Sequence, residues 1–238
     1  MNDRFYVLNM NSKDFKTRLT AFGTQNICVI DASISKSDYT PIDLSEANTD
    51  LQNFDISSSK DWDTYITNYL NKRNKKVAFG GYLEKRGIYN RSDYFNNPNP
   101  ETERNIHIGL DLWIAAGTSV LAAFNGEIHS FKDNTNYGDY GPTVILKHEL
   151  DSFVFYTLYG HLSRESLKRL KLGDKVKQGE TIAYLGAAEV NGDYAPHLHF
   201  QIIEDLQDNF GDYPGVCSIT DLEFYKKNTV NPEVILGL

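Results

Sequence analysis

Between Ile106 and Ile203 the chain is a succession of short apolar runs separated by turn residues, and that texture restricts the region to a sheet. Residues 106–112, IHIGLDL, alternate strictly: Ile106, Ile108, Leu110 and Leu112 fall on one face, and His107, Gly109 and Asp111 fall on the other. VLAAFNGEIHSF (120–131) reads as a hairpin around an Asn125-Gly126 turn, and TVILKHELDSFVFYTLYGHL (143–162) as two strands around a short polar connection. LKLGDKVKQGETIAYLG (170–186) adds two short strands around glycine turns. Apart from SRESLKRL (163–170), nothing between 106 and 203 has helical length, so an antiparallel sheet or sandwich is expected.

Upstream, residues 1–76 mix strand-like runs, RFYVL (4–8) and NICVIDASI (26–34), with a polar linker at 43–60 and a helical stretch, DWDTYITNYLNKRNKK (61–76). In that stretch Trp62, Ile66 and Tyr69 recur at the spacing of one helix face. GGYLEKRGIYNRSDYFNNPNP (80–100) reads as a long irregular loop of the kind that forms lids or binding edges. Its Tyr82, Tyr89 and Tyr94 read as loop packing, with substrate contact by one of them as the alternative, and Arg86 and Arg91 as solvated, with orientation of a carboxylate by either as the alternative.

The composition narrows the function. With 24 Lys and Arg against 32 Asp and Glu, a net charge of −8 and no basic stripe, the chain is unsuited to a phosphate backbone, so nucleic acid is not an expected partner. No apolar run is long enough to span a bilayer, so no transmembrane segment is expected. The opening MNDRFYVLNMNSKDFKTRL lacks the apolar core of a signal peptide, which gives an expectation of a cytoplasmic location that leaves extracytoplasmic action open. Cys28 and Cys217 have no CxxC spacing and read as thiols, with a disulfide between them left open. Oligomeric state is not legible.

The chemistry concentrates in DYAPHLHFQII (193–203), where His197, His199 and Gln201 share one strand face and Leu198, Phe200 and Ile202 the other. Two residues of strand rise put the two imidazoles roughly 6.6 Å apart, close enough to border one site. His107 and Asp111 would lie roughly 13 Å apart on a straight strand, too far to share an ion, so the strand should bend, and Gly109 permits it. Imidazole nitrogens with a carboxylate suit Zn²⁺, and three protein ligands leave a fourth position for water that zinc makes acidic enough to attack at neutral pH. There is no HExxH, because His148-Glu149-Leu150-Asp151 is followed by Ser152. The unligated histidine of HLH and His161 are therefore the natural acid–base groups. His129 and His148 read as ordinary strand histidines.

Five motifs in order, HIGLD (107–111), AAGTSVLAAFNGEI (115–128), YGHLS (159–163), LKLGDKVKQGETIAYLG and APHLHFQI (195–202), resemble the M23 family of zinc metallopeptidases, the lysostaphin and LytM-type peptidoglycan endopeptidases. The resemblance covers roughly residues 104–203. It implies His107, Asp111 and His199 as zinc ligands and His161 and His197 as catalytic histidines. The implied fold is mainly β within an α+β whole: an antiparallel β-sheet or sandwich of the duplicated-hybrid-motif, LytM-like type, with an N-terminal α/β extension and a C-terminal tail. The expected division is an accessory region at 1–76, the peptidase domain at 77–204 and a C-terminal extension packing on the core at 205–238. The implied activity is zinc-dependent endopeptidase action on a peptide, or on a peptidoglycan stem or crossbridge. The same resemblance admits two alternatives: a metal-binding scaffold that regulates another hydrolase, and a phosphoryl-carrier domain of shared fold. AAEVNGDYAP (187–196) departs from the family's usual turn before PHLHF, which implies a different groove wall.

Overall fold

The fold is that of a computed structural model, which describes residues 16, 17, 19, 27–150 and 153–238. Its strands are β1 (Tyr39–Pro41), β2 (Val77–Gly80), β3 (Glu84–Lys85), β4 (Ile106–His107), β5 (Leu110–Trp113), β6 (Ser119–Leu121), β7 (Gly126–Asn134), β8 (Gly141–Leu150), β9 (Phe153–Gly160), β10 (Lys175–Val176), β11 (Thr181–Tyr184), β12 (His197–Ile203), β13 (Val216–Cys217) and β14 (Thr229–Val230). The main sheet runs β1-β2-β5-β12-β9-β8-β7-β10, with β14 also on β12. The pairing is antiparallel except between β1 and β2, which makes the architecture mainly β, as expected.

β12 lies at the centre and is buried on both faces. Leu198, Phe200 and Ile202 point into the main core with Leu110, Leu112, Val144 and Tyr159. The opposite face carries the histidines. A second apolar cluster flanks that face, built from Trp62, Ile66, Ala78, Ile88, Tyr89, Phe95, Trp113 and Tyr194. The sheet thus separates a structural core from the face that bears the polar groups.

The helix expected around 61–76 is α1 (Ser59–Arg73). Ser58 caps it by accepting from the backbone N of Asp61 at 3.2 Å, and Asn74 closes it in the left-handed conformation at φ 52°. Trp62 and Ile66 are buried, and the Tyr69 hydroxyl donates to the Pro41 carbonyl at 2.6 Å, which ties α1 to the sheet edge. SRESLKRL yields α2 (Arg164–Leu167). At the C-terminal end, α3 (Leu222–Asn228) and α4 (Pro232–Leu236) bracket β14, and Val230, Ile235 and Leu236 join the main core.

Several local expectations are corrected. IHIGLDL is not one strand: the chain breaks at Ile108-Gly109, with β4 in a small sheet with β3 and β13 and β5 in the main sheet. Ile106 and Ile108 consequently pack with Cys217 in a cluster separate from Leu110 and Leu112. The bend expected at Gly109 is thus present, and it divides the apolar face. The Asn125-Gly126 hairpin does not form, because β6 pairs with β11 whereas β7 pairs with β8 and β10. Neither residue takes the positive φ of a type I′ turn, and Asn125 is committed to tertiary contacts, accepting from Gln178 N and from His148 Nδ1.

NICVIDASI forms no strand over its described residues, only an isolated bridge from Ile30 to Val120. RFYVL lies outside the described residues. The 80–100 segment is more structured than a plain loop, containing β3 and a short 3₁₀ turn at Gly87–Arg91. Cys28 and Cys217 are both free. Among the described residues, no helix is long and apolar enough to cross a membrane.

Candidate metal centre

Strand register assembles the site. Asp111 lies opposite His199 across β5 and β12, and Trp113 lies opposite His197. On the outer neighbours, Gly80 faces Asp111 and Gly160 faces His199, which leaves space around both side chains. His107 reaches the same point from β4 because the chain turns at Gly109, where a Cβ would fall 2.4 Å from His199 Cε1. Only a glycine fits there.

The donor atoms form a small triangle: His107 Nε2 is 2.9 Å from His199 Nδ1, His199 Nδ1 is 3.1 Å from Asp111 Oδ1, and His107 Nε2 is 3.3 Å from Asp111 Oδ1. His107 Nδ1 donates to the Gly81 carbonyl at 2.9 Å, so its Nε2 carries a lone pair. The outward Nε2 of His199 faces the Tyr140 hydroxyl at 3.4 Å, and Tyr140 donates to the Tyr213 carbonyl at 3.1 Å. These partners turn two nitrogen lone pairs and a carboxylate oxygen towards one another in a buried setting, an arrangement that calls for a cation at its centre. Tetrahedral zinc with bonds of about 2.0–2.1 Å spaces its donors by roughly 3.3 Å, so the three fit it. Among the described residues, this is the one group of three or more His, Cys, Asp or Glu side chains close enough to hold a metal.

Asp111 has a second partner, Arg86, which the sequence left open as either a solvated side chain or one that orients a carboxylate. Arg86 is 4% exposed, and its Nη1 donates to Asp111 Oδ2 at 2.5 Å while its Nε donates to Glu84 Oε2 at 2.6 Å. Glu84 is itself anchored, accepting from Leu44 N at 2.9 Å. Gly81, at φ 108°, makes room, since a Cβ there would overlap both the guanidinium and His107 Nδ1. The legible signal was the alternation of Glu84 and Arg86 immediately after Gly80-Gly81.

His161 and His197 stand beside the triangle with ring centroids 4.2 Å apart. His161 holds a left-handed φ of 62°, a strained backbone for a non-glycine residue. Its Nδ1 donates to the Asn191 carbonyl at 2.7 Å, and that of His197 to the Ala195 carbonyl at 2.8 Å. Each Nε2 is thereby left as an acceptor, and that of His197 lies 3.7 Å from Asp111 Oδ1. Asn191 and Ala195 belong to AAEVNGDYAP, so the unusual turn orients both imidazoles.

Burial lowers the pKa of His107 and of His197 to about 4 and holds His161 well below the ordinary imidazole value. Burial opposes ionisation of Asp111, but the Arg86 guanidinium against its outer oxygen helps to hold the carboxylate well below the ordinary value and charged. At neutral pH His107, His161 and His197 are therefore neutral and Asp111 is anionic, and neutral imidazole and carboxylate are the forms in which such side chains ligate metals. A cavity of about 180 Å³ opens onto it, walled by Tyr89, Tyr94, Trp113, Tyr140 and Tyr194, with Arg104 among its lining residues.

Five of the sequence-derived site residues, His107, Asp111, His161, His197 and His199, are brought together. His148 is elsewhere, bonded to Asn125 O and Thr157 Oγ1, and His129 pairs with Ser130 Oγ. Tyr82 bonds Thr229, as packing requires, whereas Tyr89 and Tyr94 line the cavity. Arg91 is not solvated either: its Nη2 donates to Asp193 O at 2.7 Å and its guanidinium lies 4.3 Å from the Tyr194 ring centroid.

Comparison with known proteins covers the region that carries these residues. Residues 105–209 match the model of peptidase family M23, and all five residues fall inside the match. Peptidoglycan DD-endopeptidase ShyC of Vibrio cholerae is 36% identical over 98 residues, covering 41% of this chain and 20% of the relative. Glycyl-glycine endopeptidase ALE-1 of Staphylococcus capitis is 39% identical over 95 residues, covering 40% of this chain and 24% of the relative. The chain thus spans about a fifth to a quarter of the length of these curated relatives. Among solved structures, the lysostaphin catalytic domain of Staphylococcus simulans is 28% identical, covering 51% of this chain and 80% of that one, with a TM-score of 0.36. The resemblance carried by the five motifs is thus matched by that family model over residues 105–209.

Proposed function

We propose that this chain is a zinc-dependent endopeptidase acting on peptidoglycan-type peptides, those with glycine or D-amino-acid residues at the bond cut. The observation that carries the reading is the pair of neutral acceptor imidazoles, His161 and His197, set 4.2 Å apart beside a buried His-Asp-His donor set. Support for the substrate class comes from the names of the relatives, one a peptidoglycan DD-endopeptidase and one a glycyl-glycine endopeptidase.

In this reading His107, Asp111 and His199 hold the zinc. Zinc supplies Lewis acidity towards a substrate carbonyl and makes water a competent nucleophile near neutral pH. The free Nε2 of His197 or His161 accepts the proton of the attacking water and returns it to the leaving amine. Their Nδ1 bonds to Asn191 and Ala195 hold both rings in the acceptor tautomer throughout. Tyr140 and Arg86 fix the outward sides of His199 and Asp111. Residues 77–204 are assigned as the peptidase domain. Residues 1–76 act as an accessory region that supports it through Leu44 and Trp62, and residues 205–238 as a C-terminal extension. A phosphoryl carrier would gain nothing from an anionic Asp111 beside the imidazoles, which repels the incoming phosphate.

Incubation of zinc-loaded protein with defined muropeptides and with pentaglycine, alongside chelated protein, tests the proposal. Products from the loaded protein alone are expected, and their masses name the bond. Absence of cleavage of both peptide classes by protein of confirmed zinc content would overturn it.

A further inference from the structure

Four buried side-chain atoms have no hydrogen-bond partner among the described residues: Arg91 Nε, Asp133 Oδ1, Asn134 Oδ1 and Trp113 Nε1. Of these four residues, Trp113 is the one that lines the cavity at the metal centre. It is 3% exposed, and its register places it on the same face of β5 as Asp111, directly opposite His197. Ala78 is its neighbour on β2, a residue too small to cover the ring. The indole lies face to face with the His197 imidazole, centroids 4.0 Å apart and planes 21° from parallel, and Trp62 of α1 backs it at 6.3 Å and 15°.

Packing alone does not account for the indole nitrogen. A buried donor without an acceptor destabilises the fold, and phenylalanine would supply a flat face to His197 without that cost. Trp62 shows the ordinary solution, since its Nε1 donates to the Ile56 carbonyl at 2.8 Å. The Trp113 nitrogen is a donor only, so the group that completes it is an acceptor, and in a peptide the recurrent acceptor is the backbone carbonyl. Two residues along β5 separate Trp113 from Asp111, roughly 6.6 Å. Carbonyls on one side of an extended peptide repeat at the same interval.

Resting on the peptidase reading above, we propose that Trp113 is a substrate-binding residue whose Nε1–H donates to a backbone carbonyl of the bound peptide adjacent to the bond cut. Its ring at the same time positions His197 by stacking. The accessory region takes part through Trp62, the third ring of the column.

Trp113→Phe separates this role from packing. Whichever of pentaglycine and the muropeptide the wild type cleaves is used as probe. Loss of one neutral hydrogen bond should raise KM about 3- to 10-fold with kcat within about twofold, while the thermal midpoint stays level or rises. An unchanged KM overturns the proposal. A measurement that needs no change at position 113 uses the ¹⁵N–¹H indole signals of the chain's two tryptophans. In the zinc-loaded His161→Ala protein, which leaves the peptide largely uncut, the Trp113 signal should move when the same peptide is added and the Trp62 signal should stay. Assignment follows from the signal lost in Trp62→Phe. A Trp113 signal that stays fixed at saturating peptide overturns the proposal even if Trp113→Phe fails to fold. Failure of wild type to cut either peptide would instead sink the peptidase reading, so the two failures are distinguishable.

Discussion

The Arg86 guanidinium meets the outer oxygen of Asp111 at 2.5 Å, while the inner oxygen of the same carboxylate faces His107 and His199. One carboxylate is thus divided between a fixed cation and the donor triangle, and its orientation is set before any metal arrives. Outer partners of this kind account for about 10- to 100-fold in metal affinity. Arg86→Gln should therefore weaken zinc binding by that factor, read by chelator competition. Arg86→Lys, which restores the charge without the two-nitrogen fork, should fall between. Equal affinity in Arg86→Gln and wild type would remove the orienting role. Asp111→Ala should be the harsher change, costing about 3–5 kcal/mol in unfolding free energy by leaving the Arg86 charge buried without Asp111.

Ligands and acid–base groups should part company on substitution. His107→Ala leaves two donors, and metal analysis should find zinc well below one per chain. His161→Ala leaves the triangle whole, so it should keep its zinc and lose about 10²-fold or more in kcat. Full activity in His161→Ala would remove it from proton transfer.

Gly109 is a packing requirement of the metal centre. A Cβ there would fall 2.4 Å from His199 Cε1 and 2.6 Å from its Nε2, on a ring already held by its contacts. Gly109→Ala should cost about 1–3 kcal/mol in denaturant unfolding and displace His199. A drop in zinc affinity should accompany the loss of stability. A variant with wild-type zinc affinity would show that the ring has room to move.

His148 supplies a pH dependence well away from the metal centre. Burial lowers its pKa to about 4 from the ordinary 6.5, so between those values the unfolded chain binds a proton that the folded chain refuses. Its contribution is fully present above pH 6.5 and is lost as pH falls, reaching roughly 3 kcal/mol by pH 4. Through Nδ1 to Asn125 O and Nε2 to Thr157 Oγ1 the ring also bonds locally, and Gln retains part of that pattern. The stability difference between wild type and His148→Gln, measured in urea from pH 7 to pH 4, should therefore shift towards the variant as pH falls. A constant difference would show that the folded protein tolerates the protonated ring.

What the sequence determined by itself was whatever depends on a local period. Alternation put His197 and His199 on one strand face and Leu198 and Phe200 on the other, the 3.6-residue repeat marked the face of α1, and Gly109 marked the bend. Motif order then carried the five site residues to one family, without any contact having to be known. Tertiary structure alone decided which strands pair and which charges are buried. Asn125-Gly126 has the composition of a hairpin turn, but β11 competed for β6 and won. Arg86 looks like any surface arginine until Glu84 and Asp111 close on it, because the cost of burying a charge is set by partners distant in sequence. Trp113 continues the alternation of His107, Gly109 and Asp111 by one step, yet its stacking on a histidine 84 positions further on exists only once β5 and β12 pair (197 − 113). Local rules reach as far as the backbone repeats, and the geometry of the site comes from strands brought together across nearly a hundred residues.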